Sequence, residues 1–309
     1  MTGSPNRREL IAGSLAGVGL LAAGPALAQA LPEPDEPDAA VDTARGVFEH
    51  VTVPVKLNGQ GPFRFMVDTG ANISCLSQDL AHRLALPAGR NVTVQTIVGR
   101  RERRTVQVDR LEVGPRVRRR VNTPVLPMLD FGVDGILGVD WLKGQRLEMA
   151  FKNGRLQITK SRSEASAEGK VVVPAHRRSG QLTIVDADVS GATISAMIDS
   201  GSQFSLGNRA LRRLVNELDP TAFGRSTPVS MVSIVGEAFE GDQLFVPFIR
   251  LGGLTLGNVP VVFAEMPVFK LWELHDKPAM LLGVDLLAQF ETVAMDFGRS
   301  AVRFDIGQA

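Results

Sequence analysis

Tyrosine is absent from this 309-residue chain, cysteine occurs once and histidine four times. The lone Cys75 excludes an internal disulfide, and its expected role is that of a small buried apolar residue. His50, His82, His176 and His275 are scattered without metal-ligand spacing, so no zinc site is read. An excess of charge is missing too. Setting aside residues 1–30 removes only Arg7, Arg8 and Glu9, which leaves 32 basic residues against 32 acids. A chain so balanced has no global field with which to hold nucleic acid, and no nucleic-acid partner is expected. A long uninterrupted apolar run is also lacking. The stretch that comes nearest, ending at Leu27, is broken by Gly13, Gly17, Gly19, Gly24 and Pro25, and its strongly apolar part is short for a span of about 20 residues.

What stands at the N-terminus instead is Asn6-Arg7-Arg8-Glu9-Leu10-Ile11, an apolar Gly- and Ala-rich run, and Ala28-Gln29-Ala30. That order describes a twin-arginine signal peptide over 1–30, with a small-x-small cleavage site. The expectation is a bacterial protein exported folded, periplasmic or secreted, with no stable membrane span once the signal is removed. Residues 31–46 form an acidic, proline-rich spacer that cannot bury apolar area and is expected to be disordered, whether as propeptide or tether.

From Val47 the pattern turns to period two. Val51, Val53, Val55 and Leu57 share one face, Asn58-Gly59 signals a turn, and Phe63 to Val67 return as a strand ending at Asp68. Four features then recur in order. Phe65-Met66-Val67-Asp68-Thr69-Gly70-Ala71 is answered by Ala196-Met197-Ile198-Asp199-Ser200-Gly201-Ser202, at an offset of 131 residues. A short helix over Ser77 to Leu86 matches Asn208 to Val215. The strand entry Thr96-Ile97-Val98-Gly99 matches Ser233-Ile234-Val235-Gly236, and Gly135-Ile136-Leu137-Gly138-Val139-Asp140 matches Met280-Leu281-Leu282-Gly283-Val284-Asp285. Terminal hairpins near Met149 and Met295 close the two halves. Asp140 and Asp285 are placed to cap the short helices that follow them.

The expected fold is all-β, with two pseudo-symmetric closed lobes at 47–158 and 171–309 joined by a polar linker at 159–170. The acid-to-glycine distance is 70 residues in the first half and 84 in the second, and the surplus is expected around Asn216 to Thr227. Gly99-Arg100-Arg101-Glu102-Arg103-Arg104 reads as the polar tip of a hairpin that could cover a site. The arginines of 100–104 and 116–120 read as solvated, with a second reading that the first cluster overhangs a cleft and favours acidic substrates.

Two carboxylates about 3 Å apart cannot both ionise and would share one proton. Such a pair can activate water by general acid-base chemistry without metal or cofactor, and none is expected. Gly70 and Gly201 let backbone N–H groups approach each carboxylate, while Thr69 and Ser200 are suited to tie the two loops together.

These ordered motifs resemble the pepsin and retropepsin superfamily of aspartic proteases. The local triplets are closest to the retropepsin-like branch, and two lobes in one chain are similar to pepsin. The resemblance covers Val47 to Ile306. It implies Asp68 and Asp199 as the catalytic pair, Thr69 and Ser200 as an interlobe hydroxyl grip, and Gly70, Gly201 and Ser202 as loop support. It also implies hairpins at Ile97, Val98 and Gly99 and at Ile234, Val235 and Gly236 as flaps over a peptide or protein substrate, in a monomer that is an intramolecular pseudo-dimer. Two departures stand out. No tyrosine is available for a flap, and Ala71 lacks the hydroxyl that Ser202 could offer its acid, which predicts that Asp199 ionises first and Asp68 holds the proton. A non-catalytic peptide-binding or scaffold protein on the same fold is the alternative, and a homo-oligomeric working form is a third.

Overall fold

The computed structural model describes residues 51–307 apart from 98, 179, 180 and 185, together with the backbone strands Gly13–Leu15, Ala39–Asp42 and Ala44–Arg45. The rest of the leader and spacer lies outside the described residues. Two of those strands correct the expectation of a disordered spacer. Ala39–Asp42 pairs antiparallel with Arg155–Ile158, and Ala44–Arg45 pairs with Val51 and Thr52. Among the described residues no helix is long and apolar enough to cross a membrane.

The fold is all-β with two lobes. In the first, Val51–Leu57 turns at Asn58 and Gly59, both at positive φ, into Gln60–Val67. Gln60–Val67 runs parallel to Gly135–Leu137, which pairs antiparallel with Cys75–Ser77. Cys75–Ser77 runs parallel to Arg116–Leu126, itself antiparallel to Gly99–Val113. Gly99–Val113 pairs in turn with Val51–Leu57, so the sheet closes on itself. Inward positions such as Val53, Val55, Leu57, Phe65, Leu111 and Val113 are buried, as the period-two pattern requires.

The second lobe repeats the order. Ser195–Ile198 runs parallel to Ala279–Leu282, which is antiparallel to Leu206–Gly207. That strand runs parallel to Leu254–Phe263, followed by Ala238–Leu251 and Thr227–Ser233. The surplus length is split between two places. Helix Arg209–Leu218 exceeds its counterpart Gln78–Arg83 and leads into a short turn at Ala222–Arg225. Helix Pro267–Leu271 is a second insertion, before Ala279–Leu282, where sequence placed none.

The terminal hairpins Gln145–Ala150 with Arg155–Lys160, and Thr292–Asp296 with Ala301–Asp305, pair edge to edge through Gln145–Ala150 and Thr292–Asp296. Lys170–Arg178 joins on the far side, giving one sheet that spans both halves. Arg146 and Arg303, both buried, reach Glu164 of the linker at 2.7 and 2.9 Å and Glu148 at 3.1 Å each. The linker is therefore pinned to the sheet by ion pairs, and each buried cation has its anions.

Arg116 and Arg118 depart from the solvated reading. Arg116 is fully buried and donates to Gln145 Oε1 at 3.0 Å. Arg118 lies 4.4 Å over the Trp141 ring and donates to the Asp140 carbonyl at 2.8 Å. The inward pleat outweighs charge at position 116 because a buried amide oxygen receives the guanidinium.

Gly138 tests this packing. A Cβ there would lie 2.8 Å from the backbone of Ala71 and of Ile73. Gly138→Ala is expected to cost about 1–3 kcal/mol and lower the melting temperature by about 2–10 °C. Gly224→Ala, where a Cβ meets open space, should stay within about 0.5 kcal/mol of the parent in the same scan.

Candidate active site

Each acid sits where an apolar strand leaves its sheet. The Asp68 N–H donates to Leu137 O at 3.0 Å and the Asp199 N–H to Leu282 O at 3.1 Å. The strand pair thus fixes each loop before any side chain acts. Asp68, Asp199, Ser200 and Ser202 have no exposure, and Thr69 is 1% exposed. The two loops then exchange hydroxyls. Thr69 Oγ1 donates to Ile198 O at 3.0 Å and accepts from Ser200 N at 3.0 Å. Ser200 Oγ donates to Val67 O at 2.8 Å and accepts from Thr69 N at 3.1 Å. Each net hydrogen bond contributes about 0.5–1.5 kcal/mol, and each also satisfies a backbone group that would otherwise be buried unpaired.

The glycines permit the close approach. A Cβ on Gly70 would fall 2.7 Å from the Asp199 carboxyl, and a Cβ on Gly201 would overlap the Asp68 carboxyl. Each loop's glycine therefore lies against the other lobe's acid, and any side chain there would push the lobes apart. The freed N–H groups turn to the carboxylates. Gly70 and Ala71 donate to Asp68 Oδ1 at 2.8 and 2.9 Å, and Gly201 donates to Asp199 Oδ1 at 2.9 Å. The Oδ2 atom of each acid is buried and accepts no hydrogen bond from the described residues.

Burial raises both acids, and proximity separates them. Desolvation and then the Asp199 charge push Asp68 well above its ordinary value. Asp199 is raised by burial to about 6, held down by the N–H groups of Gly201, Ser202 and Gly70 and by the Asp68 carboxyl. The pair thus keeps one proton, preferentially on Asp68. The predicted order holds, but its stated cause does not. Ser202 Oγ donates to Phe204 O at 2.7 Å, so the residue acts on Asp199 through its backbone N–H and not its hydroxyl.

Asp140 and Asp285 also differ from expectation, since neither caps the helix after it. Asp140 Oδ1 accepts from Ser74 N and Oγ at 2.9 and 2.8 Å, and Ser74 Oγ accepts from Gly138 N at 3.0 Å. Asp285 repeats this with Ser205 at 2.9 and 2.7 Å, and Ser205 Oγ accepts from Gly283 N at 3.0 Å. These buried networks brace each carboxyl loop against the strand beside it. Ser74 and Ser205 are not among the candidates above, and the signal that marks them is the same 131-residue offset that relates the acids. Burial pushes Asp140 up to about 6 and raises Asp285 as well. Cys75 is buried, and desolvation, then Asp68 and Asp140, raise its thiol, consistent with a packing role.

Two hairpins cover the loops, with a different tip from the one predicted. Gly99 to Arg104 is strand, paired with Asn91–Thr96, so the chain turns between Thr96 and Gly99, at the apolar Ile97. Val98 lies outside the described residues. Ile97 is buried in a cluster of second-half residues including Met197, Leu206 and Trp272, while Ile234 is buried among first-half residues including Ala71, Ile73 and Ile136. The tips therefore cross. Leu129 N donates to Ile234 O at 2.8 Å, and Glu237 receives Thr96 Oγ1 and Arg101 Nη2, each at 3.4 Å. Val235 packs partly buried beside Ile234, and Gly236, at φ +84°, brings the turn against Leu129. Gly99, at φ +146°, opens the return strand of the first hairpin.

A family model described as Aspartyl protease matches residues 53–141 and again 185–286. Each matched segment contains one carboxyl loop, one hairpin and one Gly-Val-Asp turn, and both exclude the sheet that joins the halves. A comparison with curated proteins found no match.

Two measurements test the site as built. Ser200→Ala leaves Val67 O and Thr69 N without their partner and is expected to cost about 1–3 kcal/mol per orphaned group, whereas Ser200→Thr keeps the hydroxyl and most of the stability. The four raised acids bind protons more tightly folded than unfolded, so their stabilisation is full below their ordinary value of 3.8 and lost as pH rises through the folded values, about 6 for Asp140 and Asp199. The lowered acids Asp219, Glu112 and Glu164 act in the opposite sense, as pH falls below their ordinary values of 3.8 or 4.5. The melting temperature should therefore fall between about pH 4.5 and 7, and Asp140→Asn should flatten the fall. A melting temperature that climbs across this range contradicts the assignment.

Proposed function

Because the chain belongs to the aspartyl protease family, we propose that it is an active endopeptidase, cleaving extended peptide segments between its lobes. The observation that carries this reading is the pair of fully buried carboxyls, one from each lobe, each with its Oδ1 held by its own loop and its Oδ2 accepting no hydrogen bond from the described residues. The ionised Asp199 takes a proton from a water molecule as its oxygen attacks the scissile carbonyl carbon. Asp68 gives its proton to the carbonyl oxygen, which becomes a hydroxyl of the tetrahedral diol. Asp199 then delivers the captured proton to the leaving nitrogen. The diol returns a proton to Asp68 as the carbon–nitrogen bond breaks, which yields an acid and an amine and restores the pair. No covalent enzyme intermediate is needed.

The crossed hairpins support an extended substrate, because strand edges above a cleft offer main-chain hydrogen bonds to a peptide threaded beneath them. Entry then requires the tips to separate, and Ile97, Ile234 and Glu237 are the contacts that must open. Export is part of the same proposal. A twin-arginine leader suits a protein whose site forms only after both lobes have folded together, and periplasmic or secreted action follows from it.

Cleavage of an unbiased peptide library by the mature chain from pH 3 to 8 tests this directly. Asp68→Asn and Asp199→Asn should each lower cleavage by about 10²–10⁴-fold. The wild-type rate should rise as pH passes through about 6, where Asp199 ionises, and fall at higher pH as Asp68 loses its proton. Ser202→Ala should leave the acidic limb in place. A wild type that retains peptides without cutting them would make the chain a peptide-binding member of the family.

A further inference from the structure

The offset that relates the two acids also relates the helices behind them, and there the two lobes part company. Ser77 and Asn208 cap helices Gln78–Arg83 and Arg209–Leu218 by accepting from Leu80 N and Leu211 N. Four residues beyond each cap stand Ala81 and Arg212. The strand ladders define a second equivalence. Leu76 pairs with Val125 as Gly207 pairs with Phe263, and Asp242 lies opposite Phe263. Thr105 lies opposite Pro124, which puts Arg104 beside Val125 in the place that Asp242 holds in the second lobe.

In the second lobe these positions complete one another. Arg212 Nη1 meets Asp242 Oδ2 at 2.5 Å and stacks 4.3 Å over Phe223, and the cavity beside it has about 220 Å³. In the first lobe the position of Arg212 offers only the Ala81 methyl group, with Gln78 and His82 of the same helix also at the cavity, and the strand carries a cation. The result is a cavity of about 500 Å³ walled by Ala81, Leu86, Val106 and Val125, with Arg103 and Arg104 beside it. Neither arginine forms an ion pair among the described residues. Arg103 Nη1 donates to the carbonyl of Glu102 at 3.1 Å, and its buried Nε has no partner. The Glu102 side chain, also at the cavity, is exposed and engages neither cation. The volume falls in the range of small-molecule sites.

We propose that this cavity binds an amphipathic carboxylate. Its apolar body fills the space left by Ala81, and its charge meets Arg104 as Asp242 meets Arg212 in the other lobe. A free medium-chain acid and the C-terminal residue of a peptide share this chemistry. Because Arg104 lies on the strand that carries the first hairpin, the ligand ties that hairpin to its helix as the Arg212–Asp242 pair ties the second. The site lies behind the hairpin and is independent of the carboxyl pair, so its test needs no turnover.

The test is calorimetric titration of the full-length protein with octanoate, octanamide, and the tripeptide Ala-Ala-Leu with a free or amidated C-terminus. Octanoate or the free tripeptide should bind, which identifies the source, and its amide should bind at least about tenfold more weakly, since a charge-assisted contact is lost. Arg104→Gln should weaken the acid by a similar factor. The double variant A81R/R104D rebuilds the second lobe's ion pair and should abolish binding while keeping the parent's melting temperature. Absence of binding by both acids at about 10 mM, equal binding of acid and amide, or unchanged affinity in R104Q would each overturn the proposal.

Discussion

Two carboxyl groups removed from water and set side by side repel each other's charge, and a chain that holds them so must supply the force that keeps its halves together. That force is concentrated in the exchange of hydroxyls between Thr69 and Ser200, where each side chain reaches across the interface to a backbone carbonyl and receives a backbone N–H in return. The exchange works only because Gly70 and Gly201 have no side chain to place against the opposite acid. From it follow the closeness of the acids, the retention of one proton and the orientation of the loop N–H groups. The sheet shared by the terminal hairpins, with Arg146, Arg303 and Glu164 at its centre, carries the same constraint to the far side of the molecule.

The duplicated pattern made much of this legible beforehand. Period-two strands, an apolar run into Asp-Thr/Ser-Gly and the paired Gly-Val-Asp segments are local signals, and each element formed where its pattern lay. What stayed hidden depends on partners distant in the chain. Gly99 to Arg104 reads as a polar tip because its charges are local, yet cross-strand pairing with Asn91–Thr96 moves the turn back to Ile97. Arg116 reads as solvated, and is buried because Gln145 waits 29 residues away. Ser202 has a hydroxyl suited to its acid, but the carbonyl of Phe204 claims it first.

Duplication supplies a frame, and the differences within it carry the individuality of the protein. The same two positions behind the carboxyl loops hold an ion pair in one lobe and an alanine facing a cation in the other, so near symmetry at the acids coexists with cavities of unequal size, about 500 Å³ in the first lobe and 220 Å³ in the second. The crossed hairpin tips mix the halves further, since Ile97 and Ile234 each complete the apolar cluster of the opposite lobe. Opening of the cover and integrity of the two lobes are thereby coupled.

The central claim is that the two acids hold one proton between them where separate carboxyls would hold none. Carbon-13 NMR of the chain labelled at aspartate Cγ, with the pair's signals assigned from Asp68→Asn and Asp199→Asn, reads that proton directly. The account predicts that Asp199 titrates near pH 6 while Asp68 stays protonated beyond it. Two carboxyls that both titrate near the ordinary value of 3.8 would show that the acids do not meet.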